Sequence, residues 1–417
     1  MKKRIIMRQA ISLMSVGVAA FLFAACGSGS NSGGKAKMFS TVGDVEVTSI
    51  EEMNEIASVK DGPNGELLVA DLSKVGSPKA LLLSDLAEDL RIVKLDGVDE
   101  ALVKSGNVWL SDKRFIIYDG SDVKQFDSNG KYLGKIGSKG NGPGEYIIAP
   151  YDIAIDEEHG RIYILAYGAD KLQSYDLDGK FIGNVPLAYK AEKGFVEVEP
   201  DGSLVIGALT FSDNDNSYAV WHQDTDGKAI DGVKAGHLSV EPDFSNEVYR
   251  GSGENGFTYS LFRMDAKADT LYEYSEGSLH PAFTADFRGN ERMHNYMSFP
   301  GFYLIDIIGK PIEVGDGSFM LPSETPVLID KKSGRGGAAD LVLDFIGPIK
   351  ANKDWIFVKN PNYFMLNVDP GDLAEMLDKA IKEERNIDES SLAGMKELLD
   401  GISPDDNNYL IVGRWKK

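Results

Sequence analysis

The run Phe126-Asp127-Ser128-Asn129-Gly130-Lys131-Tyr132-Leu133-Gly134 decides the fold, because the chain repeats its pattern as Tyr175-Asp176-Leu177-Asp178-Gly179-Lys180-Phe181-Ile182-Gly183. The two copies begin 49 residues apart. Three shorter or weaker copies follow at residues 224–228, 274–278 and 330–334. Self-similarity with a period near 50 residues indicates an architecture of stacked or radially arranged units.

The segments between the copies have the composition of β-strands. The unit that contains the second copy has four runs rich in β-branched and aromatic residues, at residues 151–156, 161–165, 171–176 and 180–185. The next unit repeats this plan at residues 195–199, 203–208, 217–222 and 228–233. Asp-Gly and Asn-Gly pairs supply the positive φ angles that tight hairpins need. Four antiparallel strands per unit form the blade of a β-propeller.

The sequence therefore predicts an all-β fold, a six-bladed β-propeller of four-stranded antiparallel blades over residues 86–417. A helical insertion in the last blade, at about residues 370–401, is indicated by Asp369 as N-cap and by apolar residues on one face of each helix. Residues 41–85 are expected to be an N-terminal extension that packs on the propeller. The last run, residues 409–415, is expected to pair with the first blade or with an early strand such as residues 91–95, which would close the ring.

Three stretches carry a family resemblance: residues 137–146 (Gly-Ser-Lys-Gly-Asn-Gly-Pro-Gly-Glu-Tyr), residues 269–274 followed by Pro281 and Asp286-Phe287, and residues 396–399 through 405–408. They resemble the bacterial 6-bladed β-propeller lipoprotein family, which is similar to proteins with NHL repeats. The resemblance covers roughly residues 72–417. It implies fold and location, and it implies no catalytic residue.

The N-terminus has the form of a lipoprotein signal peptide, residues 1–25. Four basic residues precede an apolar stretch at residues 10–23 that is too short to span a bilayer comfortably. Cys26, the only cysteine, follows two small residues. It is the predicted lipidation site, although Phe23 stands where Leu is usual, and a plain secretory signal is the alternative. Residues 26–40 then form a flexible tether. We expect an envelope protein, anchored through membrane lipid to the outer membrane and facing the periplasm.

The formal net charge of −21 at pH 7 disfavours nucleic-acid binding, which depends on neutralising phosphates with Lys and Arg. The same charge supports solubility or, alternatively, a cationic ligand.

Several motifs suggest chemistry, and each has a simpler structural interpretation. The glycine-rich residues 137–144 lack the Lys-Ser/Thr ending of a phosphate loop, so a connection between blades is favoured. Residues 213–217 with Asp224 resemble a calcium loop without its sixth-position glycine; a polar hairpin loop is favoured, and calcium remains possible but is not predicted as a cofactor. The five histidines have no helical zinc spacing, and no Gly-x-Ser-x-Gly elbow is present. Trp109, Trp221 and Trp355 are interpreted as core residues at strand positions rather than a sugar-stacking platform.

No catalytic, cofactor-binding or metal-binding residue is therefore predicted. The leading hypothesis is a non-enzymatic binding or scaffold module, in which one face of the propeller recognises a protein, peptide or glycan. The alternative is a metal-dependent hydrolase or lyase, lactonase-like, with a site at the central channel. That alternative requires three or more carboxylates or amides from several blades to converge on one point.

Overall fold

The computed structural model describes most of the chain beyond the tether. The described residues are 40–41, 45–62, 65–104, 106–146, 148–213, 217–310, 312–315, 318–320, 322–357, 359–383 and 387–417. The predicted signal peptide and Cys26 lie outside them. Among the described helices, none is long and apolar enough to cross a membrane.

Five consecutive sheets have the predicted four-stranded antiparallel meander. Blade one consists of Asn107–Leu110, Arg114–Tyr118, Val123–Asp127 and Tyr132–Lys135. Blade two consists of Pro150–Asp156, Arg161–Ala166, Ala169–Asp176 and Phe181–Ala191. Blade three consists of Gly194–Val198, Leu204–Ala208, Tyr218–Gln223 and Ala229–Lys234. Blade four consists of Glu247–Ser252, Phe257–Phe262, Leu271–Ser275 and Ser278–Asp286. Blade five consists of His294–Ser298, Phe302–Ile307, Val327–Asp330 and Gly336–Val342.

A sixth sheet closes the ring with three strands from both ends of the chain. Its strands, in order, are Tyr363–Val368, Tyr409–Trp415 and Ala87–Lys94. The last two are antiparallel, with Ile411 opposite Ile92. The expected pairing of the final strand with an early one is therefore confirmed, and it leaves no long unpaired edge at the point of closure.

The prediction of six four-stranded blades is wrong: the described residues form five such blades and this three-stranded sheet. The place of its innermost strand is taken by an inner segment, residues 353–357 and 359–362, which begins as the 3₁₀ helix Lys353–Phe357. Trp355 and Ile356 of this helix are both buried, so it contributes to the core although it adds no strand. Pro361 has no N–H to donate to a sheet. This inner segment contacts the first strands of other blades instead: Arg250 Nη2 donates to Lys359 O (2.8 Å) and Asn360 Nδ2 to Leu110 O (2.9 Å).

An apolar cluster lies between each pair of neighbouring sheets. Ile116 of blade one packs with Ile162 of blade two, and at the point of closure Phe115 of blade one packs with Leu410 of the sixth sheet. Full burial of each such side chain contributes about 1.5–3 kcal/mol. The three tryptophans expected in the core are 2% exposed or less, although Trp355 lies in the 3₁₀ helix rather than in a strand.

The remaining elements extend the outside of this ring. Ala57–Gly62 and Gly65–Asp71 add two strands to blade four, and Lys79–Leu82 pairs with blade five. Helices Pro370–Glu383 and Glu389–Asp400 form the C-terminal insertion, with Leu373, Met376 and Leu377 buried as their spacing predicts. Short strands occur at Ser40–Thr41, Val47–Thr48, Ser138–Lys139, Glu145–Tyr146, Ile312–Gly315, Ser318–Met320 and Ile349–Lys350. Short helices occur at Ile50–Glu52, Leu72–Lys74, Leu83–Leu86, Asp99–Ala101 and Gly236–Leu238.

Candidate binding surface

The meander gives the propeller two different faces. The turn face carries the connections between the first and second strands and between the third and fourth strands of each blade. The loop face carries the connections between the second and third strands of each blade and the connections from one blade to the next. Eleven large apolar side chains are exposed in the described chain, and six of them lie in loop-face connections. Those six are Val98, Leu102, Ile148, Tyr167, Phe244 and Ile312. The other five lie on outer strands or N-terminal segments, and none of the eleven lies on the turn face.

The turn face is built from the repeated motif that opened the sequence. Asp127 Oδ1 accepts hydrogen bonds from the backbone N–H groups of Asn129 (2.8 Å) and Lys131 (3.0 Å), and Asp176 and Asp224 repeat this arrangement. Gly179 has φ +81°, and a Cβ there would lie 2.3 Å from Lys135 O of the preceding blade. These carboxylates therefore hold turns, which explains the motif without a calcium ion.

The most prominent apolar feature of the loop face is the aromatic patch, which we define as Tyr167, Phe211 and Phe244. Phe244 is 68% exposed and Tyr167 is 40% exposed. Phe211 and Phe244 meet edge to face with ring centroids 5.6 Å apart. Tyr167 meets the buried Tyr151 in the same way at 4.8 Å. Exposed aromatic side chains held in fixed geometry are typical of recognition surfaces.

A buried ion pair supports the aromatic patch from below. Lys193 is 3% exposed, and its Nζ donates to Phe244 O (2.5 Å), Asn246 O (2.9 Å) and Glu247 Oε1 (2.5 Å). The second oxygen of Glu247 accepts from the Tyr151 hydroxyl. Burial and this carboxylate raise the pKa of Tyr151 well above its usual value. Lys193 thereby ties the connection before blade three to the one before blade four and fixes the backbone that carries Phe244.

The inward-facing carboxylates below this pair are also committed to contacts between blades. Asp152 accepts from Trp109 Nε1 (2.8 Å) and from the backbone N–H of Val196 (2.9 Å), which joins blades one, two and three. Arg250 donates to Glu197 (2.8 Å). Burial acts to lower the pKa of Arg250, but Glu197 and Asp152 raise it overall. Among the described residues, no three His, Cys, Asp or Glu side chains are placed to share a metal ion.

Lys359 of the inner segment lies beside Tyr151. Its Nζ lies 4.8 Å from the centroid of the Tyr151 ring, a cation–π contact beside the ion pair of Lys193. Burial lowers the pKa of Lys359. The inner segment thus brings positive charge to the same tyrosine that hydrogen-bonds Glu247.

A second polar feature of the loop face is a shallow, open recess between blades four and five. It is lined by Arg263, Asp265, Lys267, Asp269 and His294. Burial raises the pKa of Asp269 to about 6 and lowers that of His294. His294 Nδ1 donates to Arg292 O (2.6 Å), which leaves Nε2 as the acceptor. Among the described residues, neither His294 Nε2 nor Asp269 Oδ2 has a hydrogen-bond partner.

The structure separates the other residues that the sequence singled out. The five histidines are spread over four blades; His159 contacts Asp156 (3.0 Å) and His222 contacts Ser203 (2.7 Å). The glycine-rich residues 137–144 connect blades one and two, where Tyr175 donates to Gly144 O (3.1 Å). Part of the polar loop at residues 213–217 lies outside the described residues.

Sequence reasoning missed the aromatic patch and the ion pair beneath it. Lys193 and Glu247 are 54 residues apart, and nothing in the sequence around either marks a partner. The available signal was their place in the repeat, since each lies where the chain enters the first strand of a blade.

Comparisons with known proteins show the family and support the fold. No curated protein sequence matches the chain. A protein of Bacteroides fragilis NCTC 9343, described as exported, has a similar crystal structure with a TM-score of 0.51 and 18% identity, covering 79% of this chain and 95% of that one. Virginiamycin B lyase of Staphylococcus aureus has a TM-score of 0.34 and 11% identity, covering 68% and 94%. Apo AztD of Citrobacter koseri has a TM-score of 0.32 and 12% identity, covering 60% and 68%.

The expected resemblance is supported in part. The propeller fold is found, but the family model that matches is neither an NHL-repeat nor a lipoprotein family. That model is the domain of unknown function DUF4934, and it matches residues 67–414. Because the match covers most of the chain, this protein belongs to the DUF4934 family.

Proposed function

We propose that this protein is an envelope-anchored binding or scaffold module, without enzymatic activity, that recognises its partner through the loop face. The observation that carries the proposal is the aromatic patch: exposed rings on the loop face, seated on the buried Lys193 and its partner Glu247, and a turn face that exposes no large apolar side chain among the residues the structure describes. Aromatic side chains at a rigid surface contribute binding energy at low entropic cost.

The inward carboxylates favour a rigid scaffold. Asp152, Glu197 and Glu247 each accept hydrogen bonds from a neighbouring blade, so they fix the positions of blades one to four relative to one another. A preorganised surface loses less entropy on binding than a mobile one.

We also propose that Cys26 carries the lipid anchor and that the protein lies in the cell envelope. The basic tip, the apolar stretch and the position of Cys26 support this, and so does the description of the B. fragilis neighbour as exported. Cys26→Ala should abolish labelling of the protein by an alkyne fatty acid, and globomycin should make the precursor accumulate. Wild-type protein that matures normally in globomycin and takes up no label would contradict the anchor.

Affinity capture from detergent-solubilised envelopes tests the binding function. The double variant Tyr167→Ala/Phe244→Ala removes two rings of the patch, and Ile182→Ala/Ile230→Ala removes two comparably exposed apolar side chains from outer strands. We expect proteins captured by the wild type to be retained by the outer-strand variant and lost, by about tenfold or more, from the patch variant. Equal capture by both variants would contradict the proposal.

A further inference from the structure

The unpaired exposed charges of the segments around the aromatic patch are negative. Three carboxylate residues of these loop-face segments are exposed: Asp213, Glu241 and Asp243. None of them forms an ion pair within the described residues. The aromatic rings therefore stand within a rim of unneutralised negative charge.

The cations of the same segments are already neutralised. Lys190 pairs with Glu192 (2.6 Å), and Lys193 is buried against Glu247 (2.5 Å). Lys171 and Lys234 are exposed and have no carboxylate partner in the described chain, and they lie on the third strand of blade two and the fourth strand of blade three, outside the loops that hold the rings. The patch thus combines apolar contact area with a local excess of negative charge, in a chain whose net charge is −21.

We infer that the aromatic patch binds a basic peptide segment of a partner protein, one that places apolar side chains on Phe244, Phe211 and Tyr167 and Lys or Arg side chains against the acidic rim. The inference rests on the proposed function and specifies the partner chemistry. Complementary charge selects the partner and speeds its association, while the rings supply the contact that holds it. Arg and Lys side chains also stack favourably on aromatic faces such as those of Phe244 and Tyr167.

Selection of random twelve-residue peptides displayed on phage, with the immobilised protein as target, tests this chemistry. We expect enriched peptides to combine at least two Lys or Arg with an aromatic or aliphatic residue and to lack Asp and Glu. A synthetic enriched peptide should bind about tenfold more weakly when its Lys and Arg are replaced by Gln. The affinity of the unsubstituted peptide should also fall as the salt concentration rises, because the acidic rim is exposed to solvent.

Three variants localise the binding. Phe244→Ala should weaken the peptide by about tenfold and Glu241→Gln/Asp243→Asn by about threefold to tenfold, whereas the outer-strand control Ile230→Ala should stay within about twofold. Enriched peptides without basic residues, or a basic peptide that binds Phe244→Ala unchanged, would overturn the inference.

Two other occupants are separated by the same variants. Self-association of the wild type that Phe244→Ala abolishes, measured by sedimentation, would make a second copy the occupant. Binding of the wild type but not Phe244→Ala to phosphatidylcholine vesicles would make lipid the occupant. Either outcome overturns the inference. If envelope capture depends on the patch but the selected peptides are not basic, only the inference fails and the proposed function stands.

Discussion

The turn face and the loop face are made by the same chain in the same meander, yet they use polar residues in opposite ways. On the turn face, the half-buried Asp127, Asp176 and Asp224 lie at short Asp-Gly or Asn-Gly turns and accept hydrogen bonds from the backbone of their own turns. On the loop face, Lys193 is buried against the half-buried Glu247, while Phe244 is exposed. Short turns need only local hydrogen bonds, whereas longer connections must be held by contacts between blades. Aromatic side chains that are exposed on connections fixed in this way favour a role in binding.

The largest contrast should come from removing one charge on each face. Lys193→Met leaves Glu247 without its cation, and we expect a loss of about 3–5 kcal/mol in the free energy of unfolding. Asp112→Ala breaks the exposed turn-face pair with Arg414 and should cost about 1 kcal/mol or less. Urea denaturation measures both. The double variant Lys193→Met/Glu247→Gln should recover part of the loss, and equal losses for the two single variants would remove the distinction between the faces.

A second contrast uses two glycines with positive φ. Gly179 of the turn face has φ +81°, and a Cβ added there would lie 2.3 Å from Lys135 O. Gly168 of the loop face has φ +63°, and a Cβ added there would lie 3.3 Å from the end of the Glu192 side chain. We expect Gly179→Ala to cost about 3 kcal/mol, from strain and overlap together, and Gly168→Ala about 1 kcal/mol, from strain alone. Thermal melting of both variants checks the order. A larger loss for Gly168→Ala would show that the turn face is the less tightly packed one.

The third contrast is in pH dependence. Burial raises the pKa of Asp269, on the loop face, to about 6, so the folded state binds this proton more tightly than the unfolded state. Its contribution to stability is therefore complete below about pH 4 and is lost as pH rises through about 6. The free energy of unfolding of Asp269→Asn, relative to that of the wild type, should therefore increase by up to about 3 kcal/mol as the pH rises from 4 to 8.

Asp201, on the turn face, gives the opposite sign. Hydrogen bonds from Ser203 lower the pKa of Asp201, so its contribution is present above about pH 4 and is lost as pH falls. Asp201→Asn should become less stable relative to wild type as pH rises. Unfolding curves at pH 2, 3 and 4 follow Asp201→Asn and curves at pH 4, 6 and 8 follow Asp269→Asn; trends of the same sign would contradict the burial of Asp269.

The smallest expected effect on stability is at the aromatic patch itself. Phe244 is 68% exposed and only its backbone carbonyl meets Lys193, so Phe244→Ala should change the free energy of unfolding by no more than about 0.5 kcal/mol. Denaturation of this variant beside Ile230→Ala checks this. A loss of 2 kcal/mol or more would assign Phe244 to the core of the loop rather than to a binding surface.

The propeller could be predicted from the sequence because its turns are local. The motif at residues 126–134 contains its own hydrogen-bond acceptor and its own glycine, and the same five-residue turn recurs at residues 175–183 and 224–228. The missing strand of the sixth sheet could not be predicted, since Trp355-Ile356-Phe357 has the composition of a strand. Phe357 of the 3₁₀ helix packs against Tyr249, and Lys359 and Asn360 after it contact Arg250 and Leu110; contacts between blades of this kind cannot be read from the sequence.

The candidate site was still less accessible to sequence reasoning. Lys193, Glu247 and Tyr151 meet only because blades two, three and four are neighbours, and each residue alone has the appearance of an ordinary loop or strand position. Phe244 in the sequence Asp-Phe-Ser-Asn is equally compatible with a core or a surface position. The exposure of Phe244, on which the proposed binding surface rests, is a property of the assembled ring.

In-cell photocross-linking tests the central claim, that the loop face is the binding surface, most directly. A photoreactive phenylalanine analogue is placed at Phe244, and in a matched strain at Ile230, which is comparably exposed on an outer strand. The account expects a discrete, light-dependent adduct at position 244 and none at position 230. A discrete adduct at position 230 with none at position 244 would contradict it.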